Sequence, residues 1–192
     1  SFAIWDAKKK NLITSRDRFG EKPLYFYQSR EGFYFASEIK FIFSLLGKRL
    51  SINYNQCFRF LINGYKSIYK SSENFFQNIN EVPPGCFLII NHQLQKRISR
   101  YWIPSFNQDS SLAYQDIVEK IRLLIIKSIE LRMRSDVPIA FCMSGGVDSN
   151  SIISIANKIL KKDVHGFTII NKDYRYDEEN IIDEIVKNKG IR

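Results

Sequence analysis

The chain has 192 residues, 44% of them hydrophobic, and a formal net charge of +9. That is apolar material for one large or two small cored domains, and no apolar run approaches the roughly 20 residues of a membrane span. The positive charge is dispersed, with its densest cluster at Lys8, Lys9 and Lys10 beside an expected turn. It therefore reads as a solvated basic surface, and a nucleic-acid partner is not expected. The opening "SFAIWD" has no initiator Met and no signal-peptide layout, and it begins inside a strand-like run. The natural start is expected upstream, and the natural end beyond "NKGIR". Cys57, Cys86 and Cys142 are odd in number and widely spaced. They are expected to be reduced, buried thiols of a cytoplasmic protein. Neither His92 nor His165 has a partner at ligand spacing, so no metal site is expected on protein ligands alone.

Residues 1–104 read as strands and turns with two short helices. "SFAIWD" and "NLITSRD" form a hairpin across the lysines. "PLYFYQ" and "GFYFAS" form another across "SREG". "SEIKFIFSLL" is a short helix capped by Ser37 and closed by Gly47, and "NYNQCFRFLING" is a second closed by Gly64. "GCFLIIN" and "QLQKRISRYW" make a last hairpin around Asn91 and His92. Residues 105–111, "SFNQDSS", are polar and aperiodic, which places a linker there.

Residues 112–192 have a different texture. Ile117, Ile121, Leu124, Ile125 and Ile129 recur at helical spacing, and that helix is expected to run to about Asp136, before Pro138. "PIAFCM" and "VHGFTII" read as short strands buried on both faces of a parallel sheet. Between them Ile152, Ile155, Ala156, Ile159 and Leu160 predict a helix. "DEENIIDEIVKNKG" predicts another, with Asp177 as N-cap and Gly190 at its end. The order helix, strand, helix, strand, helix is that of a βαβ unit. The fold class is thus α+β followed by α/β.

Chemistry concentrates at "FCMSGGVDSNS", where the first parallel strand becomes a helix. Helix N-termini present unpaired amides and partial positive charge, which suit an anion. Gly145 and Gly146 let a ligand approach the backbone, and Ser144, Ser149 and Ser151 add hydroxyl donors. Ligands of parallel sheets sit at this end of the strands. Asp148 would repel bound phosphates unless Mg²⁺ lay between them. No Lys follows the glycines, so this is not a GxxxxGK[ST] loop. A plain helix cap is the alternative reading of the same residues.

"SGGVDSNS" resembles the pyrophosphate loop of the ATP pyrophosphatase superfamily. Four stretches, in order, narrow the likeness. "SRDRFGEKPLYFY" is similar to the RDxxGxxPLY segment of glutamine-hydrolysing asparagine synthetases, and "FYFASEIKFIF" to their FASEIKAL segment. "NEVPPGCFLIIN" with "RYW", and then "RSDVPIAFCMSGGVDS", resemble their passage into the synthetase domain. The resemblance implies that 1–104 belong to a glutaminase domain, an incomplete Ntn-hydrolase-type sandwich. It implies that 112–192 begin a Rossmann-like, parallel-sheet ATP-pyrophosphatase domain, so the chain would be an internal fragment. It implies asparagine synthesis from aspartate, ATP and glutamine or ammonia through β-aspartyl-AMP, with a homodimer left open. Carried over by position, Ser144, Gly145, Gly146, Asp148 and Ser149 would bind ATP phosphates, with Asp148 on Mg²⁺. Ile169 would lie against adenine or belong to a core strand, and Met143 reads as core.

The chain departs from the family in three places. The family's nucleophile is an N-terminal Cys, activated by its own free amine, and no cysteine here matches it. The glutamine-binding Asp-Gly pair would precede Ser1, so no glutaminase activity is expected of these residues alone. Ile170 stands where the family has Gly. Arg16 and Asp17 read as ties between loops, Glu38 as a helix-start charge, and Tyr174, Tyr176 and Asp177 as a solvated loop with a cap. Three other functions remain open: amidation of a different carboxylate, a tRNA-modifying pyrophosphatase-loop enzyme, and a nucleotide-binding chain without turnover.

Overall fold

The computed structural model describes residues 1–65, 71–106, 111–171, 173, 175 and 177–189. The chain divides into two compact units, Ser1–Asn107 and Gln108–Arg192.

In the first unit, β1 (Phe2–Asp6) and β2 (Asn11–Ser15) pair antiparallel with Asp6 opposite Asn11. The Asp6 carboxylate makes the turn by accepting the amides of Lys8 and Lys9, both at 3.0 Å. Short polar side chains that bond their own following amides favour turns in this way. β3 (Tyr25–Gln28) and β4 (Phe33–Ala36) form the second hairpin. Helices α1 (Ile39–Leu46) and α2 (Tyr54–Asn63) follow, closed by Gly47 and Gly64 as expected. Asn53 caps α2, accepting the Gln56 amide at 3.3 Å. Ser37 does not cap α1. Glu38 takes the N-cap position without a side-chain cap bond, and its carboxylate pairs with Lys40 at 2.7 Å instead.

β5 (Ile79–Glu81), β6 (Cys86–Asn91) and β7 (Lys96–Arg100) complete the unit. The strands form two antiparallel sheets, ordered β1-β2-β6-β7 and β4-β3-β5. Strand β5 was not expected, because three residues inside the polar run "QNINEVPP" carry no alternation. Strand β6 alternates cleanly, with Cys86, Leu88 and Ile90 buried. They meet Leu24, Phe26 and Val82 in one core cluster.

Arg16 ties the unit together. Its guanidinium donates to the carbonyls of Val82 and Gly20 at 2.8 Å and of Lys22 at 3.1 Å, and it pairs with Glu81 at 3.1 Å. Asp17 accepts the amides of Glu21 and Lys22 at 2.9 Å and of Phe19 at 3.2 Å. Burial pushes the Asp17 carboxyl up, but these amides outweigh it and hold it below its ordinary value. Gly85 has φ +65°, and a Cβ there would stand 2.9 Å from the Trp102 carbonyl oxygen, so only glycine fits the crossing.

In the second unit, α3 (Tyr114–Arg132) leads to β8 (Ala140–Cys142) and α4 (Val147–Ser154). A single π turn, Ile155–Ile159, extends α4, with the Leu160 amide bonding back to the Ile155 carbonyl. β9 (His165–Phe167) pairs parallel to β8, and α5 (Glu179–Lys189) follows. The core comprises Ile129, Met143, Ile153, Ala156, Val164 and Ile182.

Several expectations need correction here. Helix α3 ends at Arg132, because Ser135 opens a turn by accepting the Val137 amide. Of its predicted apolar stripe only Ile129 is buried. Within α4 the inward residue is Ile153, not Ile152. The parallel strands are three residues each, and Ala140, Cys142, His165 and Phe167 are exposed. Among the described residues the two strands pair only with each other, and their exposed positions show that they are not buried on both faces. Of the three free cysteines only Cys86 is buried, since Cys142 points from the uncovered face of β8. Part of the 105–111 linker, and Tyr174, Tyr176 and Gly190, lie outside the described residues.

Replacing Arg16 by Met should destabilise the first unit by about 3 kcal/mol, because three carbonyls and Glu81 lose a charged donor. Arg18→Met, at an exposed position, should cost almost nothing. Urea unfolding followed through Trp5 and Trp102 measures both. Because the Asp17 carboxyl titrates lower when folded than its unfolded value of about 3.9, its stabilisation is present above that pH. It is lost as pH falls through the folded value. Asp17→Asn should flatten this acid limb of the stability curve.

Candidate functional site

The Met143 amide extends the parallel pairing by donating to the Phe167 carbonyl at 2.7 Å. The chain then turns through Ser144, Gly145 and Gly146 into α4, with Gly146 as an extended N-cap that has no side chain to offer. Met143 itself points into the core. A Cβ on Gly166 would run into its thioether, so the glycine leaves Met143 its place against β9. Met143 is therefore core, as expected, and not a wall for a ligand.

The turn is held from beneath by Asn150. Its side-chain amide donates to the carbonyls of Ser144 and Gly146, each at 2.9 Å. Ser149 Oγ reaches the same two carbonyls at 3.3 and 3.2 Å. A trans peptide points its N–H opposite to its C=O. Pulling these two carbonyls inward therefore turns the Gly145 and Val147 amides outward. The first backbone bond of α4 runs from the Asn150 amide to the Gly146 carbonyl. The amides of Val147, Asp148 and Ser149 precede that ladder, as in any helix start.

The hydroxyls of Ser144 and Ser149 lie 2.9 Å apart, and Ser144 Oγ accepts the Gly146 amide at 3.2 Å. The outward Gly145 amide donates to the Glu178 carboxylate at 2.8 Å. Asp148 stands exposed in the first turn of α4. An open cleft of about 500 Å³ lies beside the turn, lined by Gly145, Val147, Asn150, Ser151, Ser154, Ile155 and Ile185. Ile169 lies beyond the end of β9 and is 93% exposed, so its alternative as core strand is lost. Asp177 accepts the Glu179 amide at 3.0 Å, but it is not the N-cap expected of it: the Glu178 carbonyl accepts the first bond of α5, which puts Glu178 at that position.

Five predicted positions, Ser144, Gly145, Gly146, Asp148 and Ser149, thus share one turn, while Ile169 sits apart on the next strand's exit. Sequence reasoning missed Asn150 and Glu178. Asn150 carried a readable signal: it lies four residues after Gly146, one helical turn, where its side chain can reach back to the turn. Glu178 is 33 residues from Gly145, and nothing local marks it. Among the described residues no three His, Cys, Asp or Glu side chains converge on a metal position. The first unit holds its own cavity of about 390 Å³, lined by Arg16, Phe19, Glu81, Pro84 and Arg100. Arg16 is already spent there on backbone carbonyls.

Residues 1–102 match the family described as Glutamine amidotransferase domain, and residues 120–192 match Asparagine synthase. The chain belongs to the glutamine-hydrolysing asparagine synthetase family. It is 32% identical over 190 residues to asparagine synthetase [glutamine-hydrolyzing] 2 of Bacillus subtilis, covering 92% of this chain and 25% of that protein. Asparagine synthetase [glutamine-hydrolyzing] 3 of the same organism is 30% identical, covering 94% and 28%. Amidase chyE of Penicillium rubens is 30% identical, covering 84% and 24%. The chain thus spans about a quarter of the length of these relatives.

Asn150→Ala should cost the second unit about 1–2 kcal/mol, because two turn carbonyls lose a donor. Chemical denaturation measures the loss. Hydrogen exchange should show it concentrated at residues 144–150.

Proposed function

We propose that the chain is part of an asparagine synthetase that activates the side-chain carboxylate of aspartate with ATP. The observation that carries this reading is the Ser144–Ser149 turn. Its outward amides start a helix at the carboxyl end of two parallel strands, where an anion is favoured. The ATP phosphates would lie on Ser144, Gly145, Gly146 and Ser149, with adenine towards Ile169. Asp148, an exposed carboxylate in the first turn of that helix, suits a Mg²⁺ shared with phosphate oxygens. When bound, the metal offsets the phosphate charge and draws electrons from the phosphorus under attack.

In this reading an aspartate carboxylate oxygen attacks the α-phosphorus and pyrophosphate departs. Ammonia then displaces AMP from β-aspartyl-AMP to give asparagine. The chain's own groups bind and align the phosphate chain, which is how positioned donors lower such barriers. Residues 1–104 would belong to an Ntn-hydrolase-type glutaminase sandwich that releases the ammonia from glutamine. Residues 105–111 would be a linker, and 112–192 the start of a Rossmann-like ATP-pyrophosphatase domain. A cytoplasmic location fits these substrates. Among the described residues no helix is long and apolar enough to cross a membrane.

A second reading keeps the chemistry and changes the acceptor carboxylate. It is favoured by the 30% likeness to a protein named an amidase. A tRNA-modifying enzyme would share the turn but has no use for a glutamine amidotransferase domain over residues 1–102.

The full-length protein should release pyrophosphate from Mg-ATP only when aspartate is present, with glutamine or ammonia as nitrogen source. Release with ammonia alone would mean that the glutaminase half is lost. Release indifferent to aspartate would discard asparagine synthesis and leave another carboxylate as acceptor. Asp148→Asn should lower the turnover about a hundredfold or more, as expected when a metal-holding carboxylate is removed.

A further inference from the structure

The Gly145 amide, an outward donor of a residue that lines the cleft, is occupied. Glu178 Oε2 accepts it at 2.8 Å. The carboxylate also lies flat over the glycine: a Cβ on Gly145 would stand 3.3 Å from both Glu178 Cδ and Oε1. A protein anion therefore covers the place where a phosphate oxygen would sit in the proposed function, on which this inference rests. Two anions cannot share one amide without strong repulsion.

We propose that Glu178 is a built-in competitor at this anion seat, and that it makes the turn selective for polyphosphate over simple anions. Its main chain is anchored, because the Glu178 carbonyl accepts the Ile182 amide at 3.0 Å in the first bond of α5. Its side chain is exposed and can leave by rotating about its own bonds. Displacement therefore requires no movement of α5 or of the turn. A monoanion offers the Gly145 amide only what Glu178 already supplies, and gains nothing by exchange. A diphosphate group engages the Gly145 amide and the helix-start amides together, and its charge can be shared with a cation at Asp148. Only such a ligand recovers more than it displaces. Asn150 holds the turn's carbonyls inward with or without Glu178, so the seat persists once the carboxylate swings away.

This predicts an unusual sign. A side chain that merely supports a binding turn weakens binding when removed, whereas a competitor strengthens it. In the full-length protein, Glu178→Gln should bind Mg-pyrophosphate about three- to tenfold more tightly than wild type by calorimetric titration. It should also take up inorganic phosphate that wild type ignores. Glu178→Ala, which leaves no acceptor at all, should do the same. Circular dichroism and thermal melting check that both variants fold. Unchanged or weaker pyrophosphate binding by both folded variants, with wild type still binding, would overturn the competitor role while leaving the nucleotide reading intact. Binding by none of the three proteins would remove the nucleotide reading of the turn, and the competitor with it.

Discussion

Two carbonyls decide what the Ser144–Ser149 turn can do. Those of Ser144 and Gly146 are both drawn onto the side-chain amide of Asn150, and peptide planarity then turns the neighbouring amides the other way. Glycine at 145 and 146 leaves room for the turn to be approached. The serines reinforce the turn by bonding each other and the same carbonyls. Removing the Asn150 side chain would leave these carbonyls with the longer Ser149 contacts and, at Gly146, the first helical bond. The anion seat is therefore a property of one side chain's reach as much as of the glycines.

The first unit depends on a comparable device. Arg16 gathers three carbonyls and Glu81 around one buried guanidinium, while Asp17 collects three amides. Adjacent residues of opposite charge thus satisfy the acceptors and donors of one irregular stretch, Gly20 to Lys22, which could not pair within a sheet. Backbone groups outside a sheet need other partners, and here two side chains supply several of them. A buried Arg held this way organises structure, and its guanidinium is engaged by carbonyls and Glu81 rather than left to the cavity beside it.

Much of this was legible in the sequence because it is written in local terms. The hairpins followed from strand-like runs and from turn signals such as the Lys8 to Lys10 run and Asn91. The helix ends at Gly47 and Gly64 followed from helix-stop signals, and the turn at Ser144 from the abrupt change of period beside two glycines. The missed features are those set by distant partners. Strand β5 exists because β3 offers an edge, not because "INE" favours extension. Ser37 lost its capping role to a Glu38 that pairs with Lys40. Ile153, rather than Ile152, faces inward on the same side as Ala156, three residues on. Glu178 reaches the turn only because α5 brings it there across 33 residues. The full burial expected for both parallel strands assumed neighbours that two three-residue strands do not have.

In the proposed function the outward amides of this turn receive a phosphate chain. Residue-resolved hydrogen exchange on the full-length protein tests it most directly, comparing Mg-ATP with adenosine. Slowed exchange at the amides of Gly145, Val147 and Asp148 with Mg-ATP, and none with adenosine, is the predicted result. Protection that appears elsewhere in the protein while these three amides exchange at their unliganded rates would contradict it.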